Sequence, residues 1–99
     1  MCGAPAQGTD LVGVDVTKET VIQGQVLRGG APVPAAYVRL LDSTGEFTAE
    51  VVTSATGDFR FFAAPGEWTL RALAAGSSGQ RTVAADRGVT TLQVELAAH

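Results

Sequence analysis

Ninety-nine residues with 45% hydrophobic and 17% charged side chains suit one globular domain and exclude a chain that is disordered throughout. The formal net charge is -3, with Lys18 the only lysine and the arginines scattered among acids, so the basic stripe that grips a phosphate backbone is absent and nucleic acid is not an expected partner. No apolar run approaches the roughly 20 residues that span a bilayer. The opening Met1-Cys2-Gly3-Ala4-Pro5 lacks the basic and apolar regions of a signal peptide. One cysteine allows no internal disulfide, and these features together predict a cytoplasmic protein with no membrane partner.

Residues 1–19 read as an arm, because Gly3, Pro5, Gly8 and Gly13 interrupt any periodicity, although Leu11, Val12, Val14 and Val16 can pin its second half to the domain. A domain over residues 20–99 follows, built of short alternating strands with turn chemistry between them. The first strand, Val21 to Arg28, puts Ile22, Gly24 and Val26 on one face. Gly30 to Pro34 holds two prolines within three residues and belongs at an edge or crossover. Ala36 to Asp42 is the second strand, with Val38 and Leu40 inward and Tyr37 and Arg39 outward. Ser43-Thr44-Gly45 turn into the third, Phe47 to Ser54, whose outward positions include Thr48 and Glu50.

Thr56-Gly57-Asp58 precede Phe59 to Ala63, where Phe59 and Phe61 share the inner face. Pro65-Gly66 suits a type II turn. Glu67 to Ala74 is the fifth strand, with Trp68, Leu70 and Ala72 inward. A loose Gly76-Ser77-Ser78-Gly79 loop leads to a weaker sixth strand at Arg81 to Ala85, and Val89 to Leu96 is the seventh. Seven strands without a helix predict an all-β fold, a seven-stranded antiparallel β-sandwich with a flexible N-terminal arm. Its exposed edges allow a homodimer without specifying one.

Cys2 is the one residue with special chemical potential. Removal of Met1 would leave its thiol beside an α-amino group of pKa about 8, which favours the thiolate when protonated. The plain alternative is an exposed cysteine without a role. His99 is the only histidine, so no base serves Ser43, Ser54, Ser77 or Ser78, and no set of metal ligands stands at a recognisable spacing. Neither a catalytic constellation nor a cofactor loop is visible, so a non-enzymatic protein without metal or cofactor is expected. Core packing accounts for Phe59, Phe61 and Trp68. Tyr37 and Phe62 fall on outward positions and, with Arg39, Arg60 and Arg71, are candidates for a binding or self-association face.

The opening Ile22-x-Gly24-x-Val26, the Ala36-x-Val38-x-Leu40, the Gly57-x-Phe59-x-Phe61 and the Pro65-Gly66-x-Trp68-x-Leu70 lie in a run, Val21 to Gly76, that resembles the transthyretin-like sandwich of carboxypeptidase regulatory-like domains. That resemblance implies the fold and little about activity. Nearly the whole chain also resembles a small actinobacterial SseC-type sulfur-metabolism family, otherwise a domain of unknown function. The matching residues are Cys2, Pro5, Gln7 and Gly8, then Lys18 to Ile22, Arg39 to Asp42, Phe47 to Val52, and Ser54 to Gly66. Members of that family look to be encoded beside a rhodanese-type thiosulfate sulfurtransferase. The resemblance therefore implies an accessory or carrier protein, with Cys2 accepting or presenting sulfane sulfur from that partner. A ubiquitin-like carrier is not expected, because Leu96-Ala97-Ala98-His99 is not the Gly-Gly tail such carriers use. The alternative is a protein-binding or scaffolding module in which Cys2 has no role.

Overall fold

The structure, a computed structural model, describes residues 19–98. The expected arm therefore lies outside the described residues except for Glu19, and Cys2 and His99 lie outside them as well. Nine strands follow in order: β1 Thr20–Arg28, β2 Ala31–Pro32, β3 Tyr37–Leu41, β4 Phe47–Val52, β5 Asp58–Ala63, β6 Gly66–Ala74, β7 Ser77–Ala85, β8 Gly88–Glu95 and β9 Ala97–Ala98. Two of them, β2 and β9, are two-residue segments, so the seven long strands are those the alternation marks.

The strands form two layers. One is five-stranded in the order β4-β3-β6-β7-β9 with every pair antiparallel. In the other, β1 is central: β5 and β2 pair successive stretches of one edge, and β8 pairs the other. The β1–β8 pair is parallel, from Thr20 beside Gly88 to Leu27 beside Glu95, within an otherwise antiparallel fold. Successive side chains on a strand point to opposite faces, so every second residue enters the space between layers. Ile22, Val26, Val38, Leu40, Phe59, Leu70 and Val94 are fully buried there. Trp68 is only half-buried at the margin, where its indole N–H donates to the Ala64 carbonyl at 2.9 Å.

Two local expectations are corrected. The Gly76-Ser77-Ser78-Gly79 segment is not a loose loop: β7 begins at Ser77 and pairs with β6 from Ala74–Ser77 to Gly66–Ala85. Full-length pairing with β6 overrides the poor strand propensity of glycine and serine. Gly66 has φ 150°, far from the roughly +80° of a type II turn, because it already pairs with Ala85 as the first residue of β6.

The two layers are closed on one side. Arg81 of β7 donates to the Gln93 carbonyl of β8 at 3.0 Å. The backbones come so close that a Cβ on Gly79 would lie 2.2 Å from the Glu95 carbonyl oxygen. The chain then leaves β8 at buried Leu96 and crosses to the other layer as β9 against β7.

Candidate binding face

Tyr37, Arg39 and Arg71 come together on the outer face of the five-stranded layer. Register sets them in rows across the strands: Val52, Tyr37 and Leu73 in one, then Glu50, Arg39, Arg71 and Gln80 in the next. Arg39 Nε donates to Glu50 Oε2 at 2.7 Å, and Arg71 donates to Gln80 Oε1 through Nε and Nη2 at 3.2 and 3.0 Å. The ion pair is solvent-exposed and contributes at most about 1 kcal/mol. Tyr37 is 51% exposed at one end of β3, and Phe47, 62% exposed, stands beside Leu41 at the other. Phe47 was not singled out by the sequence pattern because a register shift between Leu40 and Leu41 breaks the alternation there.

Arg60 and Phe62 sit on the opposite outer face. They pair in register with Gln23 and Val21 of β1, in the four-stranded layer. Arg60 Nε lies 3.4 Å from Gln23 Oε1, and its side chain is engaged rather than free. Phe62 is 58% exposed. The five outward candidates thus divide into two faces, because alternation along a strand tells inward from outward but not which layer the strand joins.

At the open end of the sandwich a hollow of about 470 Å3 adjoins the Tyr37–Leu73 row. Arg28 reaches it from the end of β1, Val33, Pro34 and Ala35 form one wall, and Leu73, Ala74 and Ala75 form another. Ala35 has φ 57°, the one non-glycine among the described residues with positive φ. Buried Thr53 fixes that wall: its hydroxyl accepts from Ala36 N at 2.8 Å and donates to the Val33 carbonyl at 2.7 Å, while its own carbonyl accepts from Ala35 N at 3.2 Å. Thr53→Val leaves the Ala36 N–H buried without its acceptor, so a loss of about 2 kcal/mol is expected. The urea midpoint should fall at unchanged m.

The turn between β3 and β4 is built on Asp42. Its Oδ1 accepts from the Thr44 hydroxyl at 2.6 Å, from Thr44 N at 2.9 Å and from Glu46 N at 3.0 Å. The Thr44 hydroxyl above all, then the Glu46 and Thr44 N–H groups, hold the Asp42 carboxyl below its usual 3.8. A folded pKa below the unfolded one stabilises fully above the ordinary carboxylate range, and the gain is lost as pH falls through the folded value. Amide-exchange protection at Thr44 and Glu46 should hold down to about pH 5 and decline below about pH 4. Asp42→Asn, which keeps the acceptor oxygen, should flatten that profile.

Among the described residues no group of three or more His, Cys, Asp or Glu could hold a metal ion, and no helix is long and apolar enough to cross a membrane. A family model described as a protein of unknown function, DUF1416, matches residues 2–96. The chain belongs to the DUF1416 family. Two uncharacterized proteins of Mycobacterium tuberculosis (strain H37Rv), Rv0814c and Rv3118, are each 64% identical to this DUF1416 chain over 85 residues, which is 84% of the chain and 85% of the relative. Among solved structures, a DUF3823 family protein from Parabacteroides merdae aligns with TM-score 0.64 and 19% identity over 81% of the chain, and S.CueP with TM-score 0.65 and 17% identity over 80%. The DUF1416 chain spans 46% of the first and 64% of the second, and both likenesses concern the β-sandwich fold alone.

Proposed function

We propose that this chain is a non-catalytic binding module that docks an acidic partner protein on the outer face of the five-stranded layer. The observation that carries this reading is the cross-strand pair Arg39–Arg71, set between exposed Tyr37 and Phe47. Like charges directly opposite on a sheet repel. Glu50 balances Arg39 while Arg71 meets the neutral Gln80, so the row keeps an excess positive charge that carboxylates on a partner would offset. Tyrosine and arginine are also the side chains that most often dominate interface energetics.

The first partner to test is a rhodanese-type thiosulfate sulfurtransferase, the enzyme the SseC-type resemblance implies. Calorimetric titration should show binding that weakens with added salt. The double variant Arg39→Glu with Arg71→Glu should abolish it, and Cys2→Ser should leave it intact. Loss of binding in Cys2→Ser with no effect of the double reversal would sink the face as the docking surface.

A second reading is favoured by the family match, which reaches back to residue 2 and so includes Cys2. Here the Cys2 thiolate attacks the outer sulfur of the sulfurtransferase persulfide, becomes a persulfide itself, and returns the enzyme cysteine to its thiolate. A cytoplasmic setting, which keeps a lone thiol reduced, belongs to this reading. Incubation with thiosulfate and the sulfurtransferase should add about 32 Da to the intact mass, one persulfide sulfur. The gain should vanish in Cys2→Ser, and its absence in the wild type would end the carrier idea.

A further inference from the structure

We infer that the hollow at the open end of the sandwich binds a small, non-peptidic carboxylate with an apolar tail. Its volume, about 470 Å3, falls within the range of ligand pockets. The lining is apolar except for two groups: Val33, Pro34, Ala35, Leu73, Ala74 and Ala75 supply the walls, and Arg28 and Tyr37 supply polar ends. Arg28 is an exposed guanidinium for which the structure records no carboxylate partner among the described residues, in a chain whose net charge is -3. The nearby acid, Glu95, is directed to Gly30 N at 3.4 Å. A cation at the mouth of an apolar hollow matches a ligand with one negative end and a tail that gains by leaving water.

The wall itself argues against a peptide. Extended peptides bind by pairing their backbone with free N–H and C=O groups. Pro32 and Pro34 have no N–H to offer. The N–H groups of Val33, Ala35 and Ala36 are spent on Val26, Thr53 and Thr53 again, and the Val33 carbonyl is taken by the Thr53 hydroxyl. None of these groups on the Val33–Ala36 segment is left to pair with an extended peptide, and Arg28 and Tyr37 supply the polar side chains of the hollow. Ala35 adds an independent sign, because φ 57° is a strained conformation for a non-glycine residue and such strain gathers at ligand sites.

This inference does not depend on the docking face, since Arg39 and Arg71 do not line the hollow. The test is a titration of 15N-labelled protein with octanoate, followed by amide shifts. Saturable shifts are expected at Arg28, Ala35, Tyr37 and Leu73 to Ala75, with none from octylamine. Arg28→Gln should weaken octanoate about tenfold, the share of one charge-assisted hydrogen bond. Ala75→Trp, which fills the hollow from an exposed position, should abolish the shifts while spectral dispersion shows the fold retained. An acetylated tetrapeptide ending in a leucine carboxylate should bind at least about tenfold more weakly than octanoate, a difference of 1.4 kcal/mol. Equal binding of octylamine, undiminished binding by Arg28→Gln, or shifts confined to other faces would overturn the proposal. A peptide that matches octanoate would overturn its non-peptidic part.

Discussion

Gly24→Ala is expected to cost about 3 kcal/mol or more, a large share of the roughly 5–15 kcal/mol that holds a domain together. Gly24 is in the middle of β1, beside Leu92 of β8 and Phe59 of β5. A Cβ there would lie 1.7 Å from the Leu92 carbonyl oxygen, 2.8 Å from its carbon and 3.1 Å from the Phe59 ring. The first two are backbone atoms held in the β1–β8 ladder, so no rotamer change relieves the clash and the parallel pair itself must separate. Gly45→Ala is the natural control. Gly45 has φ 86° but nothing within 4 Å of a Cβ, so it reports backbone strain alone, about 1–2 kcal/mol. Urea denaturation of the two variants should differ by more than that backbone cost. The Gly24 variant should also lose exchange protection first along β1 and β8.

Phe59→Ala is expected to destabilise by about 3–5 kcal/mol. Phe59 is 1% exposed and heads the fully buried side chains by volume. Its ring tilts at 53° against Phe61 with centroids 6.1 Å apart, and it faces the gap where Gly24 has no side chain. Truncation therefore removes transfer energy, leaves a cavity between rigid layers, and forfeits an aromatic pair worth about 0.5–1.5 kcal/mol. The fluorescence of Trp68, the only tryptophan, provides the readout against urea. Phe59→Leu, closer in volume, should cost about 1.5 kcal/mol or less. Because Gly24 and Phe59 are register partners, the double variant should depart from additivity by the relief of the 3.1 Å ring contact, while the clash with the Leu92 backbone remains.

The fold was legible wherever one side of a strand is buried and the other wet. Val38 and Leu40 against Tyr37 and Arg39, or Leu92 and Val94 against Gln93, leave little choice of face. Legibility ended where a neighbour decides the outcome. Ser77 to Gly79 form a strand only because β6 supplies a full-length partner. Gly24 reads as an ordinary member of an alternating run, and only the approach of Leu92 from the other end of the domain makes it obligatory. The candidate face was partly legible for the same reason. Tyr37, Arg39 and Arg71 point outward by alternation, but their meeting, and the departure of Arg60 and Phe62 to the other layer, follow from pairing across the sheets. The hollow was not legible at all, since it joins the end of β1, the segment before β3 and the end of β6.

The parallel pairing of β1 with β8 bears on how this chain is made. A ribosome delivers the first strand of the domain long before the last long one, and β1 is the central strand of its layer. Throughout synthesis one whole edge of β1 waits with its amides and carbonyls unmatched. The core beneath it also stays incomplete, without Leu92, Val94 and Leu96. A nascent chain halted at Ala85 should therefore remain open to protease along β1, and this layer should close only once β8 has emerged. Because so much of the fold depends on contacts distant in sequence, it should proceed in milliseconds to seconds rather than microseconds.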